Sequence, residues 1–321
     1  MTALGTLIGE MLDSGYARAA AATLRAVEAT SVNPLITQRL KELDTEAARL
    51  IEKGEKLKPD NAVLRALIAD MEPVLQRTAR LLDTSATGLQ EASIALAAKA
   101  TRQLAQPGPG VQWNVPDPGA VAALANYADR PAWGTEIANY PGLTLDTLRN
   151  QAIRGMVEGW GPNRVARSIS RMATSLPMAQ AMMLTRTLYM ESYRTASAAS
   201  ERANADILET SIRVGTLDGR ICLCCLALHG TEVPVGQKIS DHHGGRCSKI
   251  SVVRGRNRTI QTGDQWFKAL PESERLKIAG PGNYEALQSG KAQLRDFVQS
   301  YDDPVFGQMV REASLKSLGV R

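Results

Sequence analysis

The cysteines and histidines of this 321-residue chain are confined to one short segment. All four cysteines and all three histidines lie between Cys222 and Cys247, in the run CLCCLALHGTEVPVGQKISDHHGGRC. Cysteine and histidine at short spacings are the usual ligands of Zn²⁺. The glycines and polar residues of the run leave too little apolar surface for a core of its own. The surrounding fold must therefore stabilise this segment through a bound metal or through packing from elsewhere.

The spacing within the segment matches a tetrahedral zinc site. A C-x-x-C turn lets two thiolates reach one ion, and the second half of the segment offers two adjacent histidines and a last cysteine. The predicted ligands of a structural Zn²⁺ are Cys222, Cys225, His242 and Cys247, with His243 as the alternative to His242. Cys224 is expected to point away from the site, and His229 to be a surface or turn residue. A metal-free turn with reduced thiols is the competing interpretation.

Catalysis is a further interpretation of the same residues. A cysteine beside a histidine is the arrangement of a thiol nucleophile with its base, and a zinc ion with an open position activates water. A zinc hydrolase usually carries a carboxylate close to its ligands, and Glu232 and Asp241 are only loosely placed in the sequence. The chain also lacks the G-x-x-x-x-G-K-[ST], G-x-G-x-x-G and G-x-S-x-G motifs. The sequence therefore predicts a protein that is not an enzyme.

The net charge of +5 comes from the region around the same segment. Residues 211–260 carry eight basic and three acidic side chains, and the rest of the chain is balanced. A local basic patch neutralises phosphates without reading sequence, although a solvated basic loop explains it equally well. The predicted contacts to double-stranded DNA are Arg246, Lys249, Arg254, Arg256 and Arg258.

The chain before this region is predicted to be helical. Residues 1–106 are rich in Ala and Leu, and apolar residues recur at helical spacing. Breaks at Asn33-Pro34, at Lys58-Pro59-Asp60 and around Asp83–Gly88 predict about four amphipathic helices, with Asp60 as the cap of the helix that enters at Asn61. These helices form a predicted bundle that serves as a docking region.

The rest of the chain is predicted to form a second domain and a tail. The Pro/Gly-rich residues 107–119 are the expected linker. Residues 120–260 are expected to be helical, with a small β module at 211–260 whose strands are Ile212–Thr216 and Lys249–Val253. Residues 261–321 return to helix, broken at Gly280-Pro281-Gly282, and end in a short mixed tail. The predicted class is mainly α.

The order of motifs in the second half is that of a known family. A helix with an Arg-Thr pair precedes a strand, an Asp-x-Arg-x-Cys-x-x-Cys run, a Leu-x-Gly turn, and a His followed by Arg-Cys. These motifs correspond to Arg186-Thr187, Asp218 through Cys225, Leu228-His229-Gly230, and His242 through Cys247. This order resembles the phage Mu F-like minor head proteins, also called the phage head morphogenesis family. The resemblance covers residues 143–260 well and residues 261–297 loosely.

One departure from the family pattern affects the predicted metal site. The family run ends His-Pro-x-Cys-Arg-Cys, whereas this chain has Gly245 at the position of the first of those cysteines and His243 at the position of the proline. A ligand is therefore missing unless His243 or Cys224 compensates.

The resemblance implies a structural protein of a tailed phage that is made in the host cytoplasm. Such proteins are part of the virion, associate with the portal protein and with major capsid or scaffold protein, and affect head assembly, DNA packaging or DNA exit. Three features of the sequence agree with synthesis in the cytoplasm. The chain has no apolar run long enough to span a bilayer and no basic start typical of a signal peptide. Clustered cysteines also suit a reducing compartment.

Overall fold

A computed structural model describes residue 21 and residues 34–58, 60–108, 111–117, 163–168, 176–256 and 258–320. In these residues the chain is mainly helical with two small antiparallel sheets, so the predicted class is confirmed at this coarse level. None of the helices in this part of the chain has both the length and the apolar character needed to cross a bilayer. The chain divides into two compact units. The first contains residues 1–17, 90–128 and 186–321, and the second contains residues 18–89 and 129–185.

The second unit has an apolar core to which two helices contribute most of the residues described. Helix α1 is Pro34–Glu52, and helix α2 is Ala62–Ala105, whose residues up to 89 belong to this unit. Apolar residues at helical spacing point inward from both helices. The buried residues include Ile36, Leu40, Leu43, Ala47, Leu50, Leu64, Leu67 and Met71. The helices expected before Pro34 lie outside the described residues.

Helix boundaries in this region differ from the prediction at two points. Helix α2 is continuous through Gly88, where a break was predicted, because Ala- and Leu-rich neighbours offset the roughly 1 kcal/mol that one glycine costs a helix. The predicted cap Asp60 is also wrong. Asn61 caps the helix instead, since its Oδ1 accepts hydrogen bonds from the backbone N–H groups of Val63 (3.0 Å) and Leu64 (3.3 Å).

The first unit is built around a three-stranded antiparallel sheet and a helix. Helix α3 is Leu176–Arg202, whose residues from 186 onward belong to this unit. Strands β1 (Leu208–Val214), β2 (Glu232–Val233) and β3 (Ser248–Val253) follow in the spatial order β2-β1-β3. The predicted strands are confirmed within a few residues. Helix α4, Leu223–Leu228, lies between β1 and β2 and carries the C-x-x-C turn.

The sheet buries a polar face as well as an apolar one. Ser211 pairs with Ser251 and Arg213 with Lys249, so these four side chains share one face. All four are buried. Glu201 of α3 accepts hydrogen bonds from the hydroxyls of Ser211 (2.6 Å) and Ser251 (2.8 Å), and it forms an ion pair with Lys249. Every polar group on this face therefore needs a partner inside the protein.

The C-terminal residues pack on helix α4 and the rest of the Cys/His segment. Helices α5 (Gly263–Ala269), α6 (Glu272–Ala279) and α7 (Pro281–Gln288) are followed by a 3₁₀ turn at Leu294–Phe297. The predicted break at Gly280 is confirmed. The tail predicted as mixed from Asp302 onward contains β5 (Gly307–Glu312), which pairs with β4 (Val298–Asp303) in a β-hairpin, and it continues without regular strands from 313 to 320. Phe297 and Phe267 share one core with Cys225 and Cys247, which joins these elements to the Cys/His segment.

The Pro/Gly-rich segment does not separate the two units. Residues 107–119 lie inside the first unit, whereas the units divide near residues 17, 89, 128 and 185. Trp113, in the middle of the segment, is 8% exposed and packs with Ala105, Leu208 and Val253. Burial of this large side chain attaches the segment to the sheet, a contact that its Pro/Gly composition does not reveal.

Candidate metal centre

Two pieces of backbone bring the predicted ligands together. Cys222 is the N-cap of α4, and its Sγ accepts a hydrogen bond of 3.3 Å from the backbone N–H of Cys225, so the turn places both sulfurs on one side. The loop 241–247 follows β2 and returns the chain to β3. This loop carries His242 at one end and Cys247 at the other.

The ligand atoms form two overlapping groups. The Sγ atoms of Cys222 and Cys225 and a ring nitrogen of His242 lie within 4.8 Å of one another. The Sγ atoms of Cys225 and Cys247 and a carboxylate oxygen of Asp241 do so as well. Cys225 belongs to both groups. We call Cys222 with His242 the partly exposed half of the cluster, and Cys225 with Asp241 and Cys247 the buried half. The four predicted ligands are thus brought together, and they form a cluster that can hold a metal ion.

The partly exposed half of the cluster has the character of an ion pair. His242 Nε2 lies 3.4 Å from Cys222 Sγ. Hydrogen bonds from Cys225 and then from His242 lower the pKa of Cys222 to about 4. Burial alone would lower the pKa of His242, but the Cys222 sulfur and the charge of Asp241 outweigh it and raise that pKa to about 9. At neutral pH this half therefore contains a thiolate and an imidazolium.

The buried half of the cluster has more acceptors than protons. The Cys225 thiol raises its own pKa, and lowers that of Cys247, through the hydrogen bonds it makes to Cys222 and Cys247. Its Sγ also lies 3.4 Å from Asp241 Oδ1. One S–H proton thus faces three electron-rich atoms. Thiolate sulfurs and an imidazole are the donors that a zinc ion prefers, and a bound ion would take the place of this proton, so the donor set fits a zinc ion.

A carboxylate and two arginines surround this buried half. Asp241 is 0% exposed, and its Oδ2 accepts a 2.5 Å hydrogen bond from Arg194 Nη2 of α3. Arg213 of β1 approaches Asp241 Oδ1 at 3.4 Å and donates to the carbonyl of Ser240 at 2.6 Å. Burial would raise the pKa of Asp241, but the charge of Arg194 outweighs it and keeps this pKa below its usual value.

Helix α3 fixes the conformation of the loop 241–247, which we call the ligand loop. Arg194 donates to the carbonyl of Gly245 (3.1 Å) and to that of Cys247 (2.9 Å from Nη2, 3.1 Å from Nε). Thr187 Oγ1 accepts from the backbone N–H of Gly244 at 2.8 Å. The side chain of Arg194 is 1% exposed and also pairs with Glu191 at 2.8 Å. A rigid helix therefore holds the loop that carries two of the four ligands.

The remaining cysteine and histidines lie where they do not join the cluster. Cys224 is buried, and burial raises the pKa of its thiol to about 12. His229, predicted as a surface or turn residue, caps the end of α4 but is only 6% exposed, and its Nδ1 accepts a 2.9 Å hydrogen bond from the backbone N–H of Gly215. His243 Nε2 lies 2.9 Å from Asp303 Oδ2 in β4. Of the two candidate histidines, His242 is the one that faces the sulfurs.

Three functional residues were missed or underestimated from sequence. Asp241 was judged too loosely placed, Arg194 was not considered, and Glu312 lies in the segment predicted as an irregular tail. Glu312 Oε2 accepts a 2.8 Å hydrogen bond from the backbone N–H of Leu223, at the start of α4 beside Cys222. Burial raises the pKa of this carboxyl. A signal existed only for Asp241, which directly precedes a predicted ligand.

Two of the predicted DNA contacts are occupied inside the protein. The side chain of Lys249 is 2% exposed and pairs with Glu201, so the structure places it away from any phosphate. Arg246 is 14% exposed and forms a bidentate pair with Asp218, with distances of 2.7 Å and 2.6 Å. Both side chains are thus engaged in ion pairs within the protein.

The other three predicted contacts follow β3 and donate hydrogen bonds to carbonyl groups near helix ends. Arg254 donates to the carbonyl of Asp206 at 3.0 Å, in the turn that follows α3. Arg256 donates to the carbonyl of Gln106 at 3.0 Å, and Arg258 to that of Leu104 at 2.5 Å, both at the end of α2. Arg254 and Arg256 are exposed. Because a guanidinium has five N–H donors, these two keep donors that face solvent.

Comparison with protein-family models, with curated proteins and with solved structures finds no significant match to this chain in any of the three.

Proposed function

We propose that the Cys/His cluster binds one zinc ion as a structural element, through Cys222, Cys225, His242 and Cys247. The observation that supports this is the convergence of two further thiols and one imidazole on the thiol of Cys225. The buried half of the cluster is closed, since Cys225, Asp241 and Cys247 are each at most 4% exposed. Closed four-ligand sites with sulfur ligands are typical of structural zinc. When bound, the ion would link α4 to the loop before β3.

We further propose that the chain is a minor head protein of a tailed phage. The proposal rests on the order of motifs from Arg186 to Cys247 in the sequence. In this role the chain is part of the virion near the portal vertex, binds the portal protein and capsid or scaffold protein, and contacts packaged DNA without reading its sequence. The exposed arginines Arg254 and Arg256 supply phosphate contacts of that kind.

A metal- or thiol-dependent enzyme of head maturation is the alternative function. The observation that favours it is the Cys222–His242 pair, because the thiolate and imidazolium of this pair are only partly buried. The enzyme hypothesis requires Cys222→Ser to abolish nuclease or protease turnover while the fold persists. The structural hypothesis requires the same variant to lose metal and stability together. A third function, an adaptor that binds only protein, requires that the chain has no DNA affinity at low salt.

The first experiment measures metal content by mass spectrometry in three forms of the full chain. We expect about one zinc per wild-type chain, because a structural site binds one ion. Cys225→Ala should lose it, since Cys225 touches both halves of the cluster. Cys224→Ala is the matched control and should keep its zinc, with a loss of about 1 kcal/mol in unfolding free energy for the small cavity. Wild-type protein without zinc, or zinc retained in Cys225→Ala, would contradict the proposal.

The second experiment measures duplex DNA affinity as a function of salt. Each phosphate contact contributes about 0.9 to the slope of log affinity against log salt. We therefore expect Arg254→Ala/Arg256→Ala to reduce the slope by roughly 1.8, equally for unrelated sequences. Arg295→Ala removes an exposed arginine at the 3₁₀ turn and serves as the control. An unchanged slope in the double variant, or no binding by wild type at low salt, would refute the DNA contact.

A further inference from the structure

The ligand loop contains a glycine that has no room for a side chain. A Cβ atom at Gly245 would lie less than 3.0 Å from both carboxylate oxygens and the Cγ of Asp241. Gly245 does not have a positive φ, unlike its neighbour Gly244. The backbone conformation at this position therefore accepts any residue, and space alone requires glycine.

The carboxylate that fills this space connects both ends of the loop. Asp241 Oδ1 accepts from the backbone N–H of His242 at 3.0 Å, and Oδ2 accepts from the backbone N–H of Cys247 at 3.1 Å. Arg194 holds the same carboxylate and also binds the carbonyls of Gly245 and Cys247. Asp241 thus fixes the backbone of the two ligands that the loop supplies.

We propose that Asp241, held by Arg194, is a positioning residue for the metal site, and that Gly245 is required because the Asp241 carboxylate occupies the place of its side chain. The proposal rests on the proposed zinc site. Both carboxylate oxygens accept hydrogen bonds from the backbone N–H groups of the two ligands in the loop, so Asp241 acts on the metal through His242 and Cys247.

A thermodynamic cycle on the full chain tests this coupling. Its members are wild type, Gly245→Ala, Asp241→Ala and the double variant. The zinc affinity of each is measured by competition with a chromophoric chelator, and the ligand geometry is read from the absorption spectrum of bound Co²⁺. Gly219→Ala is the control, because a Cβ at Gly219 meets nothing within 4 Å although this residue also lies near the site.

We expect each single variant to lower zinc affinity about 10- to 100-fold, the usual effect of changing a residue that orients metal ligands. The Co²⁺ spectrum of Gly245→Ala should lose its tetrahedral bands, because the displaced carboxylate releases the loop. In the Asp241→Ala background the Gly245→Ala change should have less than a twofold effect, since the clash is gone. Gly219→Ala should bind like wild type.

Any of three results would overturn the inference. The first is an Asp241→Ala variant with the zinc affinity and Co²⁺ spectrum of wild type. The second is a Gly245→Ala change that lowers zinc affinity equally with and without Asp241, and the third is a Gly219→Ala variant that loses as much zinc affinity as Gly245→Ala. If Asp241→Ala loses its folded circular dichroism spectrum, Asp241→Ser replaces it, because serine keeps one oxygen acceptor and withdraws from residue 245. A wild-type chain that binds neither Zn²⁺ nor Co²⁺ would refute the proposed zinc site and this inference together. Tight binding in wild type with no coupling would refute the inference alone.

Discussion

Neighbouring cysteines in this chain have different chemistry because their surroundings differ. Cys224 and Cys225 are adjacent and both buried. Burial keeps the Cys224 thiol protonated, with a pKa of about 12. Cys225 instead faces Cys222, Cys247 and Asp241, which are all acceptors. Burial keeps a thiol such as Cys224 protonated and inert, whereas burial among acceptors, as at Cys225, suits a cysteine to bind a cation.

The ion pair of Asp218 with Arg246 should contribute stability that depends on pH. Hydrogen bonds from Arg246 lower the pKa of Asp218 from 3.8 to about 2. Because the folded-state pKa is depressed, the contribution is fully present above about pH 4 and is lost as pH falls towards 2. Asp218 is 28% exposed, so solvent screening reduces the contribution to about 1 kcal/mol.

Urea unfolding of wild type and Asp218→Asn at pH 7 and at pH 2.5 measures this contribution. We expect a difference of about 1 kcal/mol at pH 7 that shrinks at pH 2.5, where the wild-type carboxyl approaches its own titration. Loss of bound metal in acid affects both proteins and cancels in the difference. Arg220→Gln, which removes a 71% exposed partner of Asp218, should change stability by less than 0.5 kcal/mol. A difference that persists at pH 2.5 would contradict the assignment.

At the scale of elements, local pattern predicted helices and strands but not their partners. The breaks at Pro34 and at residues 58–60, the strands around Ile212 and Lys249, and the stop at Gly280 are all encoded by neighbouring residues. The β4–β5 hairpin and the continuity of α2 are not, because long-range packing decides them. The alternation of Ser211, Arg213, Lys249 and Ser251 is typical of a solvent-facing side of a sheet. Helix α3 covers that side, which the pattern cannot show.

In the candidate metal site, too, residues close together in sequence were predicted and residues far apart in sequence were not. The C-x-x-C turn and the final cysteine identify three of the proposed ligands from spacing alone. The choice of His242 over His243 depends on Asp303, which lies 60 residues away in a hairpin that was not predicted. Arg194 lies 53 residues before Cys247 on a helix whose sequence gives no sign of a buried arginine. The residues that orient a site are therefore harder to predict than its ligands.

Burial of Lys249 between the sheet and α3 predicts a structural role for this residue. Its ion pair with Glu201 is 2% and 0% exposed, so removal of one partner leaves a buried charge. We expect Lys249→Ala to lower the free energy of unfolding by about 3 kcal/mol. Urea unfolding of Lys249→Ala beside the exposed Arg254→Ala measures the contrast, and Arg254→Ala should cost less than 1 kcal/mol. A loss below about 1 kcal/mol for Lys249→Ala would show that the pair contributes little.

At the scale of the whole molecule, metal should stabilise only part of the chain. All four proposed ligands and the residues that orient them lie in the first unit, whereas the core formed by α1 and the first part of α2 belongs to the second. A ligand that binds only the folded state stabilises it by about 4 kcal/mol when present at a thousand times its dissociation constant. For a unit of this size that corresponds to a shift of roughly 10 °C in unfolding temperature.

Calorimetry of the full chain with zinc and after treatment with a chelator measures this effect. We expect two transitions, of which one moves down by roughly 10 °C when the metal is removed and the other stays in place. Cys222→Ser in the presence of zinc should show the lowered transition without any chelator, because it lacks a ligand. Cys224→Ala should respond to the chelator as wild type does, because Cys224 lies outside the cluster. A single transition, or two that shift equally, would show that the two units unfold as one cooperative structure.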